Sequence, residues 1–244
     1  MAVFILYRFF IISLIFVTSL QWVSAETKTR LIHFGLAKSI LKNEVYGKKN
    51  TTFYCKCSYQ QKSIKLDTCK ILTKKYKKRK TRLEWEHVVP AHAFGQSFSE
   101  WRDAKKKCPK TKSKRKCAAQ KSLLFKEMEG NLHNLVPSVG AANALRSNYS
   151  FSDTKSGFDE ICKNRLWIGE RKVNVHNDIK GDIARIYFYM DNKYPGRGII
   201  SKKNRKLYQS WNLLDPVSSE ECILSRKKSL LQGSQNHFVE KFCK

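Results

Sequence analysis

The sequence predicts an α+β fold: a mainly helical, mixed α/β single domain stapled by disulfides. Three observations carry this expectation. Stretches with apolar residues at helical spacing outnumber the short β-branched or aromatic runs that read as strands. Eight cysteines, at 55, 57, 69, 108, 117, 162, 222 and 243, all follow an amino-terminal export segment, and an even number in an exported chain reads as a disulfide framework. No internal repeat and no long Pro/Gly/Ser linker divides the chain, so residues 26–244 are expected to form one domain.

The export segment is residues 1–25. Arg8 precedes the apolar run Phe9 to Val17, and Val23-Ser24-Ala25 supplies the small residues a signal peptidase requires. The run is short for a membrane span, and no later segment reaches about 18 uncharged apolar residues. A secreted or periplasmic product without stable membrane insertion is therefore expected. Structural zinc is the rival use of the cysteines, but Cys55-x-Cys57 lacks the usual spacer and has no Cys/His pair beside it. Cys108 and Cys117 are candidates for a local bridge that would close the basic segment between them; Cys222 and Cys243 could tie down the C-terminal part, with no partner assigned to either.

Charge narrows the partner. With 48 basic and 20 acidic residues the chain carries a formal +28, an excess that repels itself unless a polyanion makes use of it. Nucleic acid leads, with anionic membrane or glycan surfaces as alternatives. A cationic membrane toxin is disfavoured because no long amphipathic apolar segment is evident.

In chain order, Thr29 to Tyr46 reads as a helix ending near Gly47, and Thr51 to Tyr54 as a strand entering Cys55. Asn50-Thr51-Thr52 and Asn148-Tyr149-Ser150 match the glycosylation sequon. Lys74 to Lys80 is a basic run interrupted by Tyr76; Lys77, Lys78, Arg79 and Lys80 are candidate phosphate contacts that would hold nucleic acid without reading its sequence. Leu83 to His87 reads as a short strand stopped by the turn at Pro90. Ala91 to Lys126 is too long and polar for an ordinary connection and is expected to be a functional excursion pinned by cysteines. Ser138 to Asn148 reads as a short helix capped by Ser138, with Asn143 and Arg146 in similar directions at i, i+3. Phe158 to Trp167, Asp182 to Met190 and Ser218 to Leu231 are further helix candidates, Gly196-Arg197-Gly198 is a turn, and Tyr208 to Leu214 is another apolar element.

The chemistry concentrates at Glu86 and His87. If the substrate is a phosphodiester, His87 has the proton affinity for general-base work, while Glu86 and Asn143 offer oxygen ligands suited to Mg²⁺. Adjacent residues on a regular strand face opposite ways, so both can serve one site only if the strand twists or ends there. Lys114 and Arg115 sit three and two residues before Cys117, and either could be held toward a cleft; a guanidinium there could clamp a phosphate bidentately. Arg146 and Lys114 join the candidate nucleic-acid contacts. His133 reads as a structural hydrogen-bonding group beside Asn134, and the remaining histidines lack a neighbouring ligand pattern.

Three ordered blocks sharpen this reading: Glu84-Trp85-Glu86-His87-Val88-Val89-Pro90-Ala91, then Met128-Glu129-x-Asn131-Leu132-His133-Asn134-Leu135-Val136-Pro137, then Val139-Gly140-x-x-Asn143-x-x-Arg146-Ser147-Asn148. With Gly181 to Met190 and Gln232-Gly233-x-x-Asn236, the chain resembles the endonuclease I family of periplasmic or secreted nonspecific nucleases from about Leu31 to Phe242. The resemblance implies a ββα-metal active-site motif in which Glu86 and Asn143 bind one Mg²⁺, for which other divalent cations can substitute, and His87 is the general base. It places Glu129 at a family acidic position near the site. It also implies an arginine near the second cysteine of the basic excursion; direct counting reaches Lys114, whereas Arg115 keeps the guanidinium and is the residue expected to act. The implied activity is that of a monomeric endonuclease on single- and double-stranded DNA, with RNA open, leaving 5′-phosphate and 3′-hydroxyl ends. The rival function is a basic nucleic-acid-binding protein without catalysis.

Overall fold

The structure, a computed structural model, describes residues 31–47 and 51–244. The expected export segment and Asn50 of the first sequon lie outside the described residues. Helix α1 (Phe34–Ile40), capped by the His33 side chain, runs into a π-helical turn (Leu41–Val45). A two-residue hairpin, β1 (Tyr59–Gln60) and β2 (Ser63–Ile64), leads through short 3₁₀ turns to β3 (Leu83–His87). Five short helices follow: α2 (Ala91–Gly95), α3 (Ser99–Arg102), α4 (Ala104–Lys107), α5 (Lys114–Lys121) and α6 (Leu123–Glu129). The chain then returns along β4 (Leu135–Val139) and turns directly into α7 (Gly140–Arg146).

A four-stranded sheet follows, formed by β5 (Ser150–Phe151), β6 (Asp159–Cys162), β7 (Leu166–Gly169) and β8 (Lys172–Val175) in the order β5-β8-β7-β6. The chain closes with α8 (Lys180–Lys193), α9 (Lys202–Leu214), α10 (Ser219–Gln232) and the short α11 (His237–Glu240). Ser218 caps α10 through the Glu221 N–H, and Gly233 ends it in the left-handed conformation that glycine tolerates.

The pair β3/β4 is the scaffold of the site. The strands are antiparallel with Glu86 opposite Val136 and His87 opposite Leu135, and α7 packs back on both. All five β4 side chains are buried, and the register matters to the site, because a one-residue slip of β3 would turn Glu86 to the other face. The main core joins α8, α9 and the larger sheet around Trp211, Tyr208, Phe151 and Met190; a second cluster seals α1 and the π-turn on Leu132 and Leu135. Close backbone approach requires Gly130, where a Cβ would meet the Ile32 carbonyl oxygen at 1.8 Å. This contact brings the chain just before α1 onto the end of α6.

Four disulfides form: Cys55–Cys162, Cys57–Cys69, Cys108–Cys117 and Cys222–Cys243. They account for all eight cysteines, so the framework expected from the even count is present, including the local bridge between 108 and 117.

Three local expectations are corrected. Phe158 to Trp167 is a hairpin, β6 and β7, rather than a helix. Its apolar residues at 158, 161, 162, 166 and 167 imitate helical spacing, but Asn164 adopts φ +55 and Cys162 is bonded to Cys55, so the chain reverses there. Thr51 to Tyr54 is a tight turn with one bridge from Thr51 to Ser58, drawn in by the neighbouring disulfides. Ser138 does not cap α7: it is the fourth residue of β4, opposite Glu84, because pairing with β3 extends the strand through Val139. The 91–126 excursion is a packed group of helices, with Phe94, Phe98 and Trp101 against Phe125.

Candidate active site

A groove of about 1080 Å³ opens where β3, α1, α5 and α7 meet, and Glu84, Glu86, His87, Arg115 and Asn143 all line it. The strand-face conflict between Glu86 and His87 is resolved because β3 ends at His87, where the chain bends toward Pro90.

Glu86 is 3% exposed. Its Oε1 lies 3.2 Å from Arg146 Nη1 and accepts from the Tyr54 hydroxyl at 3.4 Å. Burial raises its pKa to about 7, against the opposing pull of Arg146. His87 is buried against Phe34, with ring centroids 4.8 Å apart. Its Nε2 lies 2.8 Å from the Glu129 carbonyl oxygen. A carbonyl can only accept, so Nε2 carries the proton and Nδ1 carries the lone pair. Burial, reinforced by the positive charge of Arg115, lowers the ring's pKa to about 3 and keeps the imidazole neutral at any ordinary pH.

Arg115 lies on the first turn of α5, beside the groove and two residues before the bridged Cys117. Its Nε donates to Glu129 Oε1 at 2.5 Å, its guanidinium sits 5.1 Å over the Phe34 ring, and its Nη2 is buried without a protein partner. Asn143, on α7, donates its amide nitrogen to Glu84 Oε2 at 2.9 Å, which leaves Oδ1 as the atom available to a ligand. Glu84 also takes a two-pronged bond from Arg79, at 2.9 and 2.5 Å. Among the described residues no group of three or more His, Cys, Asp or Glu side chains is placed to hold a metal ion. With Glu84 taken up by Arg79 and Asn143, the oxygen donors left here are one carboxylate, Glu86, and one amide, Asn143.

The sequence that builds this groove finds its match in known proteins. The family model described as Endonuclease I matches residues 24–243. The chain belongs to the endonuclease I family. It is thus a nuclease, secreted or periplasmic, and its disulfides suit that setting. An extracellular deoxyribonuclease of Aeromonas hydrophila is 37% identical over 218 residues, covering 86% of this chain and 90% of its own. A periplasmic deoxyribonuclease of the same organism is 34% identical over 207 residues, 82% of each chain. Endonuclease-1 of Buchnera aphidicola (subsp. Acyrthosiphon pisum) is 34% identical over 222 residues, 88% of this chain and 84% of its own.

The basic residues of this endonuclease I chain fall into two groups. Lys77 and Lys78 are exposed on the 3₁₀ turn before β3, and Lys80 is half-buried; none of the three lines the groove, nor does the exposed Lys114. Between Lys114 and Arg115, only Arg115 reaches it. Arg146 corrects an expectation: its side chain is 0% exposed, so it cannot touch a phosphate. It donates instead to the carbonyls of His87 at 3.1 Å and Val88 at 2.5 Å while pairing with Glu86. Arg79 lines the groove but spends its fork on Glu84. Lys38, Lys42, Lys62 and Arg82, which sequence reasoning did not single out, are exposed residues lining the groove. Tyr54, Phe34 and Glu84 were also missed. Only Glu84 left a signal, its i, i+2 spacing from Glu86 on a strand. Among the described residues no helix is long and apolar enough to cross a membrane.

Proposed function

We propose that the protein is a metal-dependent, sequence-nonspecific endonuclease that hydrolyses phosphodiesters in DNA to 5′-phosphate and 3′-hydroxyl ends. The observation that carries this reading is the tautomer of His87. With Nε2–H committed to the Glu129 carbonyl, Nδ1 is a neutral base in a groove lined with cations. His87 Nδ1 takes a proton from the attacking water as the water oxygen bonds to phosphorus and the bond to the 3′ oxygen breaks. Arg115, fixed by Glu129 through its Nε and 38% exposed, clamps the phosphate with the rest of its guanidinium. Lys38, Lys42, Lys62 and Arg82 hold the backbone on either side without reading bases.

The residues fit a Mg²⁺ ion. Both protein contacts to Glu86 fall on Oε1, the Asn143 amide offers Oδ1, and hard oxygen donors few in number suit an ion that keeps several waters. Bound there, the cation would neutralise charge on the scissile phosphate and on the departing 3′ oxygen. The relatives named deoxyribonucleases support DNA as substrate. The motif β3-β4-α7 is read as the ββα-metal unit of the family, with residues 1–25 as its signal peptide.

The test uses supercoiled plasmid and, in parallel, RNA, with Mg²⁺ or with chelator, for the native protein and His87→Ala. The expected results are cutting in Mg²⁺, none in chelator, and a loss of at least about 10²-fold in folded His87→Ala. Intact supercoils together with a mobility shift would instead make the protein a binder, and undiminished cutting by His87→Ala would remove the base assignment.

A further inference from the structure

Glu84 has both oxygens engaged. Oε1 accepts from Arg79 Nε at 2.9 Å; Oε2 accepts from Arg79 Nη2 at 2.5 Å and from Asn143 Nδ2 at 2.9 Å. An amide can turn either its NH₂ or its carbonyl oxygen to a neighbour, and only the NH₂ can face a carboxylate. Glu84 therefore selects the rotamer of Asn143 in which Oδ1 points away from Glu84. Room for this carboxylate is built into the fold: a Cβ on Gly140, the first residue of α7, would lie 2.7 Å from Glu84 Oε1 and 2.8 Å from the Arg79 carbonyl oxygen. The Arg79 fork holds Glu84 in turn, so the 3₁₀ turn before β3, the strand and the helix are joined at one carboxylate.

We propose that Glu84 is a positioning residue for the cation site: it touches neither substrate nor metal, and it sets which atom of Asn143 the metal meets. This rests on the reading that Asn143 is a cation ligand. Its signature is a dependence on the identity of residue 143. With asparagine at 143, a carboxylate at 84 is the correct partner. With aspartate there, two carboxylates oppose one another, and a glutamine at 84, which can donate its NH₂, becomes the better partner.

The experiment is a Mn²⁺ titration by isothermal calorimetry, without DNA, on four full-length proteins: native, Glu84→Gln, Asn143→Asp and the double variant. Glu84→Gln is expected to weaken Mn²⁺ binding about tenfold in the native background, the lower end for groups that orient metal ligands. In the Asn143→Asp background the same change is expected to tighten it. A Glu84→Gln effect of the same sign and size in both backgrounds overturns the proposal, since a purely structural role would not know which residue stands at 143. Gly140→Ala supplies a second route by crowding the carboxylate without altering charge or ligand; unchanged Mn²⁺ affinity in folded Gly140→Ala also counts against it. If the native protein itself takes up no Mn²⁺, the metal reading fails, and the proposal fails with it. That outcome is distinct from additivity among proteins that do bind.

Discussion

Arg146→Met tests whether Arg146 is the counter-ion that lets Glu86 exist as a carboxylate inside the protein. The guanidinium is fully buried, 3.2 Å from Glu86, and donates to the carbonyls of His87 and Val88. Breaking a buried pair costs about 3–5 kcal/mol, and carbonyls stripped of a donor cost about 1–3 kcal/mol each. These losses overlap, so the expected destabilisation at pH 8 is about 4–6 kcal/mol. The pH dependence identifies the source. Glu86 is raised to about 7 in the folded protein, so its carboxyl is protonated more readily there than in the unfolded chain. Its contribution to stability is fully present below the unfolded value near 4.5 and is lost as pH rises through 7. At pH 5 the group is neutral with or without Arg146, and only the carbonyl and packing losses remain. The gap between native and Arg146→Met should then narrow by about 1.4 kcal/mol, because at pH 8 ionisation of a carboxyl with a pKa of about 7 is worth one pH unit and at pH 5 it is worth nothing. Urea unfolding at pH 8 and pH 5, disulfides intact, followed by tryptophan fluorescence, measures both gaps. A loss under about 1 kcal/mol at pH 8, or the same loss at both pH values, would refute the reasoning.

Two further predictions concern the frame of the site. Cys108→Ser with Cys117→Ser opens a loop of nine residues' separation, which should lower stability by about 2–3 kcal/mol. Because Arg115 stands two residues before Cys117, the same pair should lower kcat in the plasmid assay more than it raises the DNA KM; an unchanged kcat would show that the bridge does not position Arg115. His133 is buried with Nε2 donating to the Ser234 carbonyl, and burial together with Lys228 lowers its pKa to about 3. A depressed histidine contributes stability above the unfolded value near 6.5 that is lost as pH falls toward 3. Between pH 7 and pH 4 this amounts to about 3 kcal/mol. His133→Gln should flatten the acid limb of a urea-midpoint against pH curve by that amount, whereas an acid limb of unchanged slope would mean that His133 protonates without cost.

Local chemistry was legible in the sequence and long-range pairing was not. The strand ending at His87, the helix bearing Asn143 and the bridge between Cys108 and Cys117 each announce themselves in consecutive residues. The tautomer of His87 does not, because it depends on a backbone carbonyl 42 residues away. Arg146 illustrates the limit. A cation near an expected nucleic-acid groove reads naturally as a phosphate contact, and nothing in its neighbours says that Glu86, 60 positions earlier, has claimed it. The hairpin at 159–169 was hidden for a different reason, since the apolar spacing favoured a helix and a disulfide to Cys55 together with a left-handed Asn164 decided otherwise.

The three carboxylates that line or border the groove share one arrangement: Glu84 is tied to Arg79, Glu86 to Arg146 and Glu129 to Arg115. Each acid thus brings its own counter-charge from inside the protein, and the three pairs together are formally neutral. On the proposed function, this answers a difficulty in placing a cation site within a surface that must attract polyphosphate. Unpaired glutamates would repel the substrate, whereas paired ones leave the field of the groove to Lys38, Lys42, Lys62 and Arg82. The pairs are not equivalent, and the differences follow their depth. Arg146 is wholly enclosed, gives both Nη groups to Glu86 and backbone and leaves its Nε unpaired where no ligand reaches it, Arg79 is one-third exposed and spends its fork on Glu84, and Arg115, 38% exposed, commits only its Nε to a protein partner. Of the three, Arg115 alone can neutralise its glutamate and still hold a phosphate oxygen. On the proposed function, that is a physical reason for the guanidinium at 115, rather than the exposed ammonium at 114, to face the chemistry.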